Sequence, residues 1–281
     1  MNISQPSLSQ YIKKIEDELE ILLFERCGNS LRLTDAGRAY IETGKKILEL
    51  ETNFQDKLND ITENKSGSIT IGTAPFRSVT LMPKVVKKFK ELYNDFQIII
   101  KEMTTDELSE GLENGEFDFC ITLLPVNTNL FSYEIIMEEE LLLAVQKGSR
   151  TEENLLKISS KTKKGLYNTI DLKYLTNEDF IMLTNNQVMQ KSLITICEKY
   201  NLNFKKSVEV KSIESQIEMV AAGIGCAIVP SGITGIERLN DKLSYFSFCQ
   251  EHPKRSLAVV YQKSKHLTNP MKDFIKILKE K

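Results

Sequence analysis

The chain has 281 residues, enough for two domains with proper cores, and its 41% hydrophobic and 27% charged content is that of an ordinary globular protein. The formal net charge is −2, so there is no bulk basic excess of the kind that announces a nucleic-acid binder. No apolar run is long enough to span a membrane, and the N-terminus lacks a signal peptide's basic-then-apolar order; this predicts a cytoplasmic protein with no membrane partner.

Ser4-Gln5-Pro6-Ser7 opens the first predicted helix, with Ser4 able to cap it and Pro6 falling in the first turn, where a missing N–H costs nothing. Leu8, Tyr11, Ile12, Ile15, Leu19 and Leu22 recur on one face. Ser7, Gln10, Lys13, Lys14 and Asp17 lie largely off it. Hydroxyls and amides in a first turn, followed by two lysines, suit phosphates and base edges of a major groove; a capped surface helix is the alternative. Residues 1–46 carry seven bases and seven acids, so any DNA affinity must come from one face rather than an excess. The helix is predicted to end at Leu23-Phe24-Glu25-Arg26, before a turn or wing over Cys27–Leu33.

The order SQPSLSQYIKKIEDELEILLFER followed by LRLTDAG closely resembles the DNA-binding end of LysR-type transcriptional regulators. The resemblance implies a winged helix-turn-helix, a long dimerising linker helix and a two-subdomain effector module. It makes Ser4, Gln5, Pro6, Ser7, Ser9, Gln10, Lys13, Lys14, Arg26 and Arg32 the DNA-binding candidates, and promoter DNA the partner. In that family the first helix and most of the second precede this point, and Met1 stands where a leucine is usual. A helix-turn-helix needs its first helix to brace the second. As written, the reader head is expected to be incomplete through a mis-called start or a clipped gene, with Leu8, Ile12, Ile15 and Leu19 left as an exposed apolar stripe.

Thr34 is a plausible cap for the next helix, with Asp35 favouring its dipole. Tyr40, Ile47, Phe54 and Ile61 repeat every seven residues, and Leu48, Leu50 and Leu58 fill in. From Thr34 to about Thr62 such a helix runs about 40 Å at about 1.5 Å per residue. Its length favours a partner helix over an amphipathic helix lying on its own domain, which predicts dimerisation through Tyr40, Ile47, Phe54, Leu58 and Ile61 and a dimer or tetramer. Glu63–Gly67 reads as a hinge.

From Ser68 the pattern becomes βαβαβ: a strand at Ile69 and Ile71, a helix over Leu81–Leu92, a strand over Gln97–Lys101, a helix over Glu107–Asn114 and a strand over Phe117–Leu123. A second set covers Glu140–Val145, Phe180–Leu183, a helix over Val188–Tyr200, Ser207–Val210, a helix over Ile213–Ala222 and Gly223–Pro230. A strand over Arg255–Tyr261 and a basic amphipathic helix over Pro270–Lys279 return to the first set. GSITIGTAPFRSVTLMPKVVKKF and VAAGIGCAIVPSG resemble the same family's effector domain, itself similar to type 2 periplasmic binding proteins. The expected α/β organisation is a partial winged helix-turn-helix (1–33), a linker helix (34–62) and an effector domain (67–281), with subdomain I over 67–141 and 248–281 and subdomain II over 142–247.

Ligands of open α/β sheets sit beyond the carboxyl ends of the strands. The effector candidates are therefore loop residues: Pro75, Phe76, Arg77, Ser78, Val79 and Thr80, then Thr104 and Thr105, and across a cleft Thr184, Asn185, Asn186 and Gln187, with Pro230 and Ser231 at the border. Arg77 could fork onto a carboxylate, and hydroxyls before a helix suit an anion, so a small carboxylate or other anionic metabolite is expected. Each has a plainer reading: Arg77 as a solvated charge, Ser78 or Thr80 as a cap, the Asn pair as a turn. The alternative function is a cytosolic small-molecule-binding protein that has lost DNA binding.

Catalysis is not expected. The histidines, His252 and His266, are separated by fourteen residues and read as surface residues without metal-ligand spacing, and no GxSxG, Walker loop or GxGxxG occurs. Cys27, Cys120, Cys197, Cys226 and Cys249 form no CxxC pair and read as reduced structural thiols, so neither metal nor cofactor is predicted. The peroxide-sensing branch of the family places a reactive cysteine nine residues before the position of Cys197; that residue is Val188, and a thiol switch of that type is not expected.

Overall fold

A computed structural model describes residues 4–27, 30–61, 66–161, 166–184, 188–251 and 255–280. The chain divides into two compact units: Met1–Asn64 together with Lys265–Thr268, and Lys65–Ser264 together with Asn269–Lys281.

In the first unit, helix α1 (Gln5–Leu19) begins where the sequence places it. Ser4 caps it, its side chain accepting from the Ser7 N–H at 3.4 Å. The helix ends earlier than expected. Glu20 takes φ 52°, and the Glu16 carboxylate accepts from the N–H groups of Leu23 at 2.7 Å and Phe24 at 3.0 Å, drawing the chain out of the helix. Leu23 is then buried, while Leu22, assigned by spacing to the helix face, is exposed. Phe24–Cys27 is strand β1, pairing antiparallel with β2 (Ser30–Leu33), so the wing begins three residues sooner than predicted. No residue of α1 is buried, and Leu8, Tyr11 and Leu19 stand exposed.

Thr34 joins wing to linker: its hydroxyl donates to the Leu22 carbonyl at 2.7 Å and accepts from the Gly37 N–H at 2.9 Å. Gly37 has to be glycine, because a Cβ there would lie 2.1 Å from the Leu23 carbonyl oxygen. Helix α2 (Asp35–Ile61) runs 27 residues with Tyr40, Ile47, Phe54 and Leu58 exposed; the side chain of Ile61 lies outside the described residues. The hinge expected over 63–67 is described only at Ser66 and Gly67. Residues 265–268 pack on α2. The His266 N–H donates to Asn53 at 3.0 Å, Lys265 pairs with Asp56 at 3.1 Å, and the His266 Nε2 lies 2.9 Å from Asp60. His266, expected on the surface, is half-buried for this reason; His252 lies outside the described residues.

The second unit opens with β3 (Gly67–Thr73), α3 (Pro75–Thr80), α4 (Met82–Leu92), β4 (Phe96–Glu102), α5 (Thr105–Glu113), β5 (Phe119–Leu123) and β6 (Phe131–Glu139). It continues through β7 (Leu141–Gln146), α6 (Arg150–Ile158), β8 (Ser160–Lys161), β9 (Asn168–Ile170), β10 (Asp179–Leu183), α7 (Val188–Tyr200) and β11 (Lys205–Val210). Then come α8 (Ile213–Ala221), β12 (Ala227–Pro230), α9 (Glu237–Asn240), β13 (Leu243–Phe248), β14 (Arg255–Gln262) and α10 (Asn269–Lys279).

These strands build two α/β subdomains. The first sheet has the order β4-β3-β5-β14-β6, with β3 parallel to β4 and β5 and β14 antiparallel to β5 and β6. Phe89, Phe119 and Phe274 fill its core, wholly buried, with the Phe274 ring 5.2 Å from Phe89 and 5.8 Å from Phe119. The second sheet runs β12-β7-β13-β9-β8, and the parallel pair β10-β11 joins it through a bridge between Phe180 and Cys226. The chain changes sheets between Glu139 and Leu141 and returns between Phe248 and Arg255.

Candidate functional site

Strand β3 is buried through Ile69, Ile71, Gly72 and Thr73 and delivers the chain to the carboxyl edge of the first sheet. There the sequence reading of Pro75–Thr80 as a loop gives way to helix α3, started by Pro75 in its first turn. The helix turns Phe76 and Arg77 inward. The Arg77 guanidinium is 5% exposed; its Nη1 and Nη2 each donate to one oxygen of Glu139 at 2.7 Å, and it lies 4.8 Å from the Phe76 ring centroid. Glu139 ends β6, fully buried.

Arg255 opens β14 directly across the ladder from Glu139. Its Nη2 is 3.6 Å from the same carboxylate, and its Nη1 meets the Met189 sulfur on α7, from the second sheet's side. Among the described residues its Nε has no hydrogen-bond partner. Burial pulls the Arg255 guanidinium down to about 10; the Glu139 charge opposes this and the neighbouring Arg77 charge adds to it. Two guanidiniums therefore share one carboxylate away from water. Gly232 closes over the pair, its Cβ position only 3.2 Å from Arg77 Nη1 and 3.3 Å from Glu139 Oε1, so a side chain there would press on both.

A cavity of about 70 Å³ adjoins this cluster between the two sheets. Its wall includes Phe76, Arg77 and Thr105 of the sequence-predicted set, with Thr122, Val188, Met189, Ile213 and Arg255 beyond it. The other expected residues that the structure describes lie off that wall. Ser78 Oγ is buried with no partner among the described residues, Val79 is exposed, and the Thr80 hydroxyl donates to the Phe76 carbonyl at 2.9 Å. Thr104 caps α5 in a reciprocal capping box with Glu107, whose carboxyl is held below its usual range by the Thr104 N–H and hydroxyl. Pro230 is buried in the pairing of β12 with β7, and Ser231 bonds Glu140 through both backbone and side chain. The Thr184 N–H donates to the Val210 carbonyl, and Asn185, Asn186 and Gln187 lie outside the described residues. Sequence reasoning missed Glu139 and Arg255: Glu139 sits in the acidic run Glu138-Glu139-Glu140, which reads as solvated surface, and Arg255 in a basic stretch after Pro253.

Among the described residues no group of three or more His, Cys, Asp or Glu is arranged to hold a metal. The DNA-binding candidates Ser4, Gln5, Pro6, Ser7, Ser9, Gln10, Lys13, Lys14 and Arg32 are all exposed, and Lys14 lies 3.8 Å from Glu18; the side chain of Arg26 lies outside the described residues.

Burial raises the thiols: Cys120 to about 12, Cys226 higher still, and Cys197 to about 11, there with help from Glu198. In the folded protein these groups stay protonated where unfolded thiols, near 9.0, release their protons. The stability these thiols contribute is thus full below pH 9 and is lost as pH rises from 9 toward 12. Melting temperatures measured between about pH 8 and 11 are expected to decline beyond 9, less steeply in a Cys120→Ala variant. A flat profile would mean the thiols are open to water.

Residues 62–281 match the LysR substrate binding domain, and residues 1–38 match the bacterial regulatory helix-turn-helix protein family, lysR type. A hydrogen peroxide-inducible genes activator of Haemophilus influenzae is 26% identical over 95% of this chain and 85% of its own length. A full-length OxyR variant from Pseudomonas aeruginosa superposes with a TM-score of 0.71 at 22% identity, covering 99% of this chain and 88% of that one. The effector binding domain of QuiR in complex with shikimate superposes with a TM-score of 0.60 at 18% identity, covering 76% of this chain and 96% of that one. With a family match over most of its length, the chain belongs to the LysR family of transcriptional regulators.

Proposed function

We propose that this regulator responds to a small anion held in the cavity between the two sheets and reads promoter DNA in the cytoplasm through the exposed face of α1. The observation that carries the effector class is the buried cluster itself: Arg77 and Arg255 share the single carboxylate of Glu139 beside the cavity, leaving one positive charge in excess among the described residues. Shikimate, bound by the QuiR domain, is a carboxylate, which agrees with that class. Phe76, Arg77 and Thr105 line the effector site in this reading, with Ser78, Val79, Thr80, Thr104, Thr184 and Pro230 as further candidates on the described segments and Asn185, Asn186 and Gln187 as candidates by sequence alone. The peroxide response of the H. influenzae relative is not carried over, because Val188 stands at the reactive position and Cys197 is held protonated. The exposed apolar positions Tyr40, Ile47, Phe54 and Leu58 support self-association along α2, with Ile61 continuing the heptad, as a dimer or tetramer.

The test is fluorescence anisotropy of the 281-residue chain on its own upstream intergenic DNA, across a salt series with competitor. Tight, competitor-resistant binding is expected. Lys13→Ala with Lys14→Ala should weaken it on all sequences and lower the salt slope by about 2. One observation favours a second reading, a ligand sensor without DNA recognition: α1 buries none of its own residues. Weak binding that competitor abolishes would select that reading.

A further inference from the structure

Within the anion-responsive reading, the receiving group can be named. We infer that Arg255, rather than Arg77, receives the anion, and that the ligand is a compact monoanion with an apolar body, the chemistry of a short-chain monocarboxylate. The two arginines border the same cavity but differ in what they have left to donate. Arg77 commits Nη1 and Nη2 to Glu139 at 2.7 Å each, and its fork is filled. Arg255 has only a 3.6 Å approach to that carboxylate, and its Nη1 faces a thioether, which is a weak acceptor. Its Nε has no partner among the described residues although the side chain is 7% exposed. A buried, charged N–H without an acceptor is a costly arrangement, and an arriving carboxylate relieves it.

Charge sets the valence. Two guanidiniums and one carboxylate leave room for one negative charge, and a second carboxylate on the ligand would find only Arg77, whose charge Glu139 already balances. The remaining surface sets the body. Leu108, Ile121, Leu123 and Leu257 offer hydrocarbon, and the hydroxyls of Thr105 and Thr122 are the uncharged polar side chains on the wall. At about 70 Å³ the space accommodates on the order of five non-hydrogen atoms.

The experiment titrates the full chain by calorimetry in a low-chloride buffer with butyrate, with butyramide as the neutral isostere, and with succinate. Butyrate is expected to bind, and the other two not. Arg255→Met should weaken butyrate about thirty-fold or more, as for one lost partner of a buried charge pair. Glu139→Gln, which removes the competing carboxylate charge, should tighten it, and if Arg255→Met does not fold, Arg255→Lys, which keeps the charge but removes Nε and the fork, decides between the two arginines by the same weakening. Butyrate binding unchanged in Arg255→Met or Arg255→Lys, or not tightened in Glu139→Gln, overturns the assignment to Arg255 while leaving an anion-responsive cavity standing. Binding of succinate alone, or of butyramide equally well, overturns the monoanion. No binding of either carboxylate to the unsubstituted chain overturns the anion reading together with the inference.

Discussion

Replacing Glu139 with Ala is expected to destabilise the effector module by about 3–5 kcal/mol, the usual cost of stranding a buried partner charge. Glu139 is the carboxylate within reach of both Arg77 and Arg255, and its removal leaves two guanidiniums facing each other in a water-poor site. The loss comes from stranded charge rather than from a lost attraction, since a buried pair set against apolar residues of equal volume is often near neutral. Glu139→Gln should therefore cost less, because an amide oxygen still accepts from Arg77. Urea unfolding followed by far-ultraviolet circular dichroism measures both. A Glu139→Ala loss below about 1 kcal/mol would show that water reaches the cluster.

Phe274→Ala is the second large effect, at about 3–5 kcal/mol and a fall in melting temperature of roughly 10 °C. Helix α10 holds the first sheet through this ring, which is wholly buried against Phe89 of α4 and Phe119 of β5. An alanine leaves a cavity lined by two further rings that cannot collapse into it. Calorimetric melting is the measurement, and a shift of only 1–2 °C would mean that the surrounding helices close the gap.

The elements legible in the sequence are those with one clear period. The seven-residue repeat of α2 and the apolar Ile69–Ile71 alternation of β3 survive because their neighbours agree with them. The end of α1 was not legible: Ile21-Leu22-Leu23-Phe24 reads as helix or strand alike, and the Glu16 carboxylate decides it through two backbone N–H groups eight residues or fewer away. Strand β6 was missed because its buried positions are interrupted by Tyr133, Glu134 and Glu138, and β13 because Ser244 and Ser247 break its apolar run. At the site, sequence pointed to Arg77 but not to its environment. Arg77, Glu139 and Arg255 are far apart in the chain, and strand pairing of β14 with β6 brings the last two together. A lone acidic residue in an acidic run carries no local sign that it will be buried.

The small cavity also sets a ceiling on sensitivity. The best small ligands gain about −1.5 kcal/mol per non-hydrogen atom, so about five atoms reach at most about −7.5 kcal/mol, a Kd of a few micromolar. Turning a two-state equilibrium from about 1:99 to 99:1 requires roughly a 10⁴-fold preference for one state. With a favoured-state Kd in that range, free ligand would have to reach tens of millimolar for complete conversion. On the proposed reading, in which the effector occupies this cavity, such a starting bias would make the output graded and tied to an abundant ligand pool, not an all-or-none report of a trace signal.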